Sequence, residues 1–185
     1  MIEGELIRLR ALERSDLPAV VRWMNDPEVT KYLLSAPIYG LEEMEQWYGD
    51  HRGSDDRLLA MLDEKGELIG YCGITRLEWE ERRCNLWMII GEQGAWNRGY
   101  GTDAVMTMLR YLFDELNLNR VYLTVDEDNH HAIHVYERCG FRPEGVSRSA
   151  RFKNGRYRND ASMAVLKREW TSVAGGKTSP PRTRP

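Results

Sequence analysis

The 185-residue sequence predicts one mixed α/β (α+β) domain. Three observations predict it. Alternating and helix-periodic stretches follow each other in the order β, two helices, several strands, then β-loop-α-β-α-β-β, without an internal repeat. The length suits a single domain with a substantial core. Hydrophobic residues at 42% and charged residues at 30% are the values of an ordinary globular chain.

The elements follow in order. "GELIRLRA" alternates Leu6, Arg8 and Arg10 against Ile7, Leu9 and Ala11, the pattern of a strand with one covered face. Ser15 or Asp16 is placed to cap a helix with Pro18 in its first turn, and that helix is expected to stop before Pro27. "LEEMEQWYGDHR" makes a second, acidic helix. "RLLAMLD-EKGE-LIGYCGITRLEW" gives two strands about a turn at Gly66, and "CNLWMIIG" a third.

A helix from about Thr102 to Leu116 follows "AWNRGYGTDA". "RVYLTVDED" is rich in β-branched residues and forms a strand, "HAIHVYERCG" a short helix, and "SARFKNGRYRNDASMAVLK" a hairpin turning at Asn154-Gly155. Residues 171–185 are dominated by Ser, Thr, Pro and Gly and are expected to form a flexible C-terminal tail, leaving 1–170 as the domain.

Charge and cysteine content narrow the function. The tail holds Lys177, Arg182 and Arg184 and no acid, so the rest carries 23 basic against 29 acidic residues, or −6. That surface is poor for nucleic acid. No apolar run has the length of a membrane span, and the N-terminus lacks a signal-peptide pattern, so no membrane partner is expected. Cys72, Cys84 and Cys139 fit no ligand spacing and suit a reduced, cytoplasmic setting.

The stretch from Trp96 to Thr102 carries the chemistry. Helix-start amides are unpaired donors in a field of partial positive charge, and glycine removes the side chain that would keep a phosphate away. Asn97, Arg98, Gly99, Tyr100, Gly101 and Thr102 therefore offer an amide row with an added cation. The bland alternative is a simple turn before a core helix. Gly99-x-Gly101-x-x-Ala104 also fits the dinucleotide pattern formally, but that pattern needs a strand running straight into the first glycine, and "GEQGAWNR" intervenes.

A second constellation follows one strand later, in "DEDNHHAIHVYERCGFRPEG". Asn129 can cap the helix or reach into a cleft, and Tyr136 lies two turns on, where it can face the same side or simply fill the core. Gly140 ends the helix. His130 and His134 share a helix face, but the glutamate and third ligand of a zinc helix are missing, so no metal is expected.

Together, "WNRGYGTDA" and "NHHAIHVYERCGF" resemble the two cofactor motifs of the GNAT (GCN5-related) N-acetyltransferases. "LIRLRALERSDL" and "FKNGRYRNDASMAVLKREW" resemble the ends of the branch that includes spermidine and ribosomal-protein N-terminal acetyltransferases, so the likeness covers residues 5–170. It implies a GNAT-like acyl-CoA N-acyltransferase fold in residues 1–170: a central, mostly antiparallel sheet flanked by helices and splayed between the family's fourth and fifth strands, here "LWMIIG" and "RVYLTVDED". It implies acetyl-CoA as donor, a primary amine as acceptor and a homodimer or higher homo-oligomer.

The same resemblance implies residue roles. Trp96 to Thr102 would hold the pyrophosphate, the backbone of Ile89, Ile90 and Gly91 the pantetheine arm, and Asn129 the far side of the cofactor, with Tyr136 as general acid. Trp96 replaces the Gln or Arg usual in the family, and Ser35-Ala36 stands where spermidine acetyltransferases carry a Glu pair.

Transfer to an amine needs a neutral nucleophile, although a free alkylamine titrates near 10.4. Thr124 occupies the position where some members carry a Glu base, which leaves Glu78, Glu80 and Glu81 as candidates. A covalent role for Cys139 is not required. Three functions fit: acetylation of a small amine or polyamine, acetylation of a protein N-terminus or lysine, and non-enzymatic acetyl-CoA sensing. Tyr136 tilts the choice toward the first.

Overall fold

The computed structural model describes residues 1–33, 38–52 and 54–170. The Ser35-Ala36 position and the 171–185 tail lie outside them. Eight strands form one sheet in the order β1-β2-β3-β4-β5-β6-β8-β7. They are β1 (Ile2–Glu3), β2 (Arg8–Ala11), β3 (Arg57–Leu62), β4 (Leu68–Glu78), β5 (Arg83–Ile90), β6 (Arg120–Asp126), β7 (Arg142–Lys153) and β8 (Arg156–Leu166). Every neighbouring pair is antiparallel except β5 with β6.

That parallel pair is short. Arg83, Cys84 and Asn85 pair with Arg120, Val121 and Tyr122, and pairing ends there. Beyond Asn85 the two strands part, which leaves one edge of β5 open within the sheet. The neighbouring register irregularity in the β4–β5 ladder lies between Thr75 and Glu78, at the root of this opening.

The sheet separates two apolar clusters. On one face, α4 (Tyr100–Arg110) and α5 (His130–Arg138) cover a core that contains Leu86, Val105, Met108, Leu123 and Tyr136, with Met88 and Ile90 packed against it. On the other, α1 (Leu17–Met24) and α3 (Leu41–Arg52) cover Leu58, Ala60 and Tyr71, with Trp87 and Ile89 against them. Strict alternation along β5 sends neighbouring side chains into different cores.

Local chemistry shifts two expected boundaries. The first long strand starts only at Arg8, because the amides of Glu5, Leu6 and Ile7 donate instead to the Asp103 carboxylate at 3.0, 2.7 and 2.9 Å. The first helix stops at Met24, before Pro27 as its sequence predicts, and a separate short helix, α2 (Pro27–Thr30), begins at the proline, capped by Asp26 accepting from the Glu28 amide at 2.9 Å. The helix after the glycines starts at Tyr100, two residues early, and its last turn, Tyr111–Glu115, widens to a π-helix. The hairpin turns at Asn154-Gly155 as its sequence predicts, with φ of 51° and 78°.

Candidate active site

The glycine loop ends on the first turn of α4. Gly99 is its N-cap with φ 88°, a conformation costly for any residue bearing a Cβ. The first helical hydrogen bond runs from the Asp103 amide to the Gly99 carbonyl at 3.0 Å, so the amides of Tyr100, Gly101 and Thr102 have no partner among the described residues. Gly101 differs from Gly99. Its conformation is helical, and a Cβ there would meet only the Ile90 Cδ1 atom at an ordinary 3.5 Å.

The loop's side chains serve mainly to fix its shape. The Trp96 indole donates to the Ile90 carbonyl at 2.9 Å and ties the loop to the end of β5. Asn97 adopts a left-handed φ of 60°. Tyr100 is buried, and its hydroxyl donates to Glu64 Oε2 at 2.7 Å, a bond that holds the Glu64 carboxyl below its usual range. Arg98 lies exposed over the Tyr100 ring at 5.4 Å and makes no ion pair among the described residues.

The open edge of β5 can be read from its ladder. The Gly91 and Glu92 amides both donate to the Ile69 carbonyl, at 3.0 and 3.1 Å. With Gly91 opposite Ile69, the antiparallel alternation turns the backbone groups of Ile89 and Gly91 toward β4 and those of Met88 and Ile90 toward the gap. Gly91 has a packing role instead: a Cβ there would lie 2.0 Å from the Trp23 ring. Since Trp96 takes the Ile90 carbonyl, the free groups at the gap are the Ile90 amide and both groups of Met88. Met88 is absent from the sequence-derived set, although its place in the strand's alternation carries the signal.

On the far side of the gap, Asn129 caps α5, its Oδ1 accepting from the Ala132 amide at 3.2 Å. Tyr136 is buried against Phe141, with ring centroids 5.6 Å apart. It belongs to the core against which Met88 and Ile90 pack, on the α4/α5 face of the sheet. Burial raises its hydroxyl well above the ordinary tyrosine range, so it stays protonated. The Cys139 thiol faces the Thr102 carbonyl at 3.7 Å, and burial pushes it up to about 12, which removes its nucleophilic character at neutral pH.

The glutamate candidates for a base are in the wrong place. Glu78 is bound by Arg83 through its Nε at 2.9 Å, and Glu80 and Glu81 lie in the following turn. Arg83 begins β5, roughly 23 Å from Ile90 at ~3.3 Å per residue. Nearer the gap, Tyr122, Thr124 and Asp126 share the α1/α3 face. Asp126 is fully buried and held by Arg151 at 2.8 Å and Arg158 at 2.7 Å. Thr124 is exposed, level with Trp87 by continuation of the β5–β6 register.

The arrangement provides an unpaired amide row for phosphate, an open strand edge for an extended amide-bearing arm, and a protonated hydroxyl beside it. Comparison with known proteins gives the family. A family model described as an acetyltransferase (GNAT) domain matches residues 7–142. Spermidine N(1)-acetyltransferase of Vibrio cholerae is 30% identical over 165 residues, covering 89% of this chain and 95% of that protein. The enzyme of the same name from Escherichia coli K12 is 30% identical over 170 residues, covering 92% and 91%. The crystal structure of the Vibrio cholerae spermidine N-acetyltransferase in complex with CoA and spermine superposes with a TM-score of 0.82 over 88% of this chain and 96% of that one. With the matching fold, the splayed β5–β6 pair and the glycine loop, these likenesses establish that the chain belongs to the GNAT acetyltransferase family.

Proposed function

We propose that this protein acetylates a small primary amine, with acetyl-CoA as donor. The observation that carries the reading is the continuity between the unpaired amides of Tyr100, Gly101 and Thr102 and the open edge of β5, which together trace a path for a pyrophosphate and the arm that follows it. The names of the relatives support the amine class.

Acetyl-CoA supplies a thioester whose carbonyl carbon takes the amine nitrogen and whose sulfur leaves with the proton that the amine gives up. The chain's groups have separate tasks. Tyr100, Gly101 and Thr102 amides and Arg98 hold the phosphates. The Met88 backbone orients the arm, and the Ile90 amide is suited to donate to the carbonyl oxygen as negative charge grows there. Asn129 closes the far side of the donor site. Tyr136 donates its hydroxyl proton in a hydrogen bond to the departing sulfur.

Ile89 and Gly91 contribute through the shape of the strand. With Asp126 locked by arginines, the site selects the neutral form of the amine or deprotonates it through water. The domain spans residues 1–170, closed by the buried Trp170 against Phe113. A homodimer is proposed because β7 is exposed over nearly its whole length and presents Val146 and Phe152 to solvent. A cytoplasmic location suits three buried free thiols, and no helix among the described residues is long and apolar enough to cross a membrane.

Acetyl-CoA consumption measured across polyamines, amino acids, aminoglycosides and N-terminal peptides tests the reading. Saturable turnover with a small amine is the expected outcome. CoA binding with no turnover of any amine would make the protein a sensor.

A further inference from the structure

The acceptor side of the sheet carries a cavity whose chemistry is specific. A space of about 200 Å³ is lined by Met24, Tyr39, Met44, Trp47, Tyr71 and Trp87. Tyr71 and Trp87 meet edge to face at 5.3 Å, and Trp47 closes on them at 6.2 and 6.4 Å. The cavity abuts the gap, because Trp87 stands two residues beyond Asn85, where β5 leaves β6. It lies on the face opposite α4, so it does not compete with the donor path.

None of the described lining residues is an acid. A second cavity shares the Met24 wall and is lined by Lys31 and Lys153, with Asn25 and Asn154. Lys153 is held there by the carbonyls of Thr30 and, at 2.8 Å, Leu33. A polyamine entering the aromatic cavity would bury one ammonium without a counter-ion and carry its others toward two lysines. A ring-sized apolar body, by contrast, finds four aromatic side chains and two polarizable thioethers. The volume equals about seven waters at ~30 Å³ each, enough for one ring and a short chain.

We propose that this aromatic cavity takes the body of the acceptor and selects a primary monoamine with an apolar, ring-sized substituent over a polyamine. The inference rests on the amine-acetylation reading and deepens it: the acceptor class departs from the one that names the relatives.

The test compares 2-phenylethylamine with spermidine on the full-length enzyme, by acetyl-CoA turnover and, separately, by quenching of tryptophan fluorescence. Expected is a kcat/KM at least tenfold higher for 2-phenylethylamine. Trp47→Ala, on the half-buried face of α3, should lower that value at least tenfold and leave CoA affinity unchanged. Met24→Glu should move the ratio at least tenfold toward spermidine by adding a carboxylate between the cavities.

Preferential turnover of spermidine by the unaltered enzyme would overturn the inference and leave amine acetylation standing. Saturable quenching by 2-phenylethylamine that Trp47→Ala abolishes, with no turnover of these or any other amine of the wider panel, would keep the cavity assignment and sink the transfer reading. Absence of quenching together with no turnover of any amine, with CoA still bound, would overturn both.

Discussion

Gly101→Ala separates a glycine needed by the fold from one needed by the donor. Gly101 has a helical backbone, and an added methyl would touch Ile90 Cδ1 at 3.5 Å, with no nearer protein neighbour. The free protein should therefore gain about 0.5–1 kcal/mol, the usual advantage of alanine over glycine within a helix. In a chain of this size that corresponds to a rise in Tm of about 1–4 °C. The same methyl stands among the three unpaired amides of the α4 start and would keep a phosphate from closing on them. One charge-assisted hydrogen bond lost there costs about 1.5–3 kcal/mol, so CoA affinity should fall roughly ten- to hundredfold. Thermal unfolding of the free protein and calorimetric titration with CoA give the two numbers. A variant that is more stable and binds CoA with unchanged affinity would refute the placement of the phosphates. Gly99→Ala lacks this resolving power, because its left-handed φ makes the fold itself lose about 1–2 kcal/mol.

Three further outcomes are expected. Tyr136→Phe should lower kcat by at least about tenfold, with CoA affinity and Tm nearly unchanged, since the hydroxyl has no partner among the described residues; stopped thiol release at saturating amine measures it. Trp96→Phe should cost about 0.5–1.5 kcal/mol in stability by losing the indole bond to the Ile90 carbonyl, and CoA titration should show a several-fold weaker donor site. Asp126→Asn should cost roughly 1–3 kcal/mol, since it removes the buried carboxylate that Arg151 and Arg158 share and leaves them only Asp160 and Asp128 as acidic partners. Although burial alone would raise the Asp126 carboxyl, Arg158 and Arg151 hold it below its ordinary value. Its stabilising effect is thus complete above about pH 3.9 and is lost as pH falls through the lower folded value. Tm measured against pH should show this acid limb in the parent protein and a shallower one in the variant.

The helix ends around the proposed donor site were legible because their signals are local. Gly99, Gly101, Asn129 and Gly140 each stand at a helix end, where backbone geometry restricts residue choice. The open gap was legible only by resemblance, since nothing in "CNLWMIIG" says where pairing with β6 ends. Which backbone groups face that gap depends on the Gly91–Ile69 pairing, a long-range register, so the sequence alone does not say that Met88 and Ile90, rather than Ile89 and Gly91, turn toward it. The aromatic cavity draws on positions 24 to 87 with no shared period, so it could not be read from the chain. Arg151 and Arg158 resemble solvent-facing hairpin charges, and only the fold reveals that they close on Asp126. Asp103 follows the same logic: as a first-turn acid it suits its own helix, yet its oxygens bind amides almost a hundred residues away.

The sheet's division of its side chains has an evolutionary consequence. The groups proposed to hold the donor come from residues 88–136 and would answer to a ligand whose chemistry does not change. The cavity's walls come mostly from residues 24–71, on helices and strands that never touch the amide row. Trp87 lies on the strand β5 itself, and Tyr71 is the partner of Ile89 across the β4–β5 ladder. A lineage can therefore exchange α1 and α3 side chains, and with them the amine it modifies, at little cost to acetyl delivery. One delivery apparatus can then serve many metabolic roles, and a close sequence likeness in this family transmits the reaction more faithfully than the substrate.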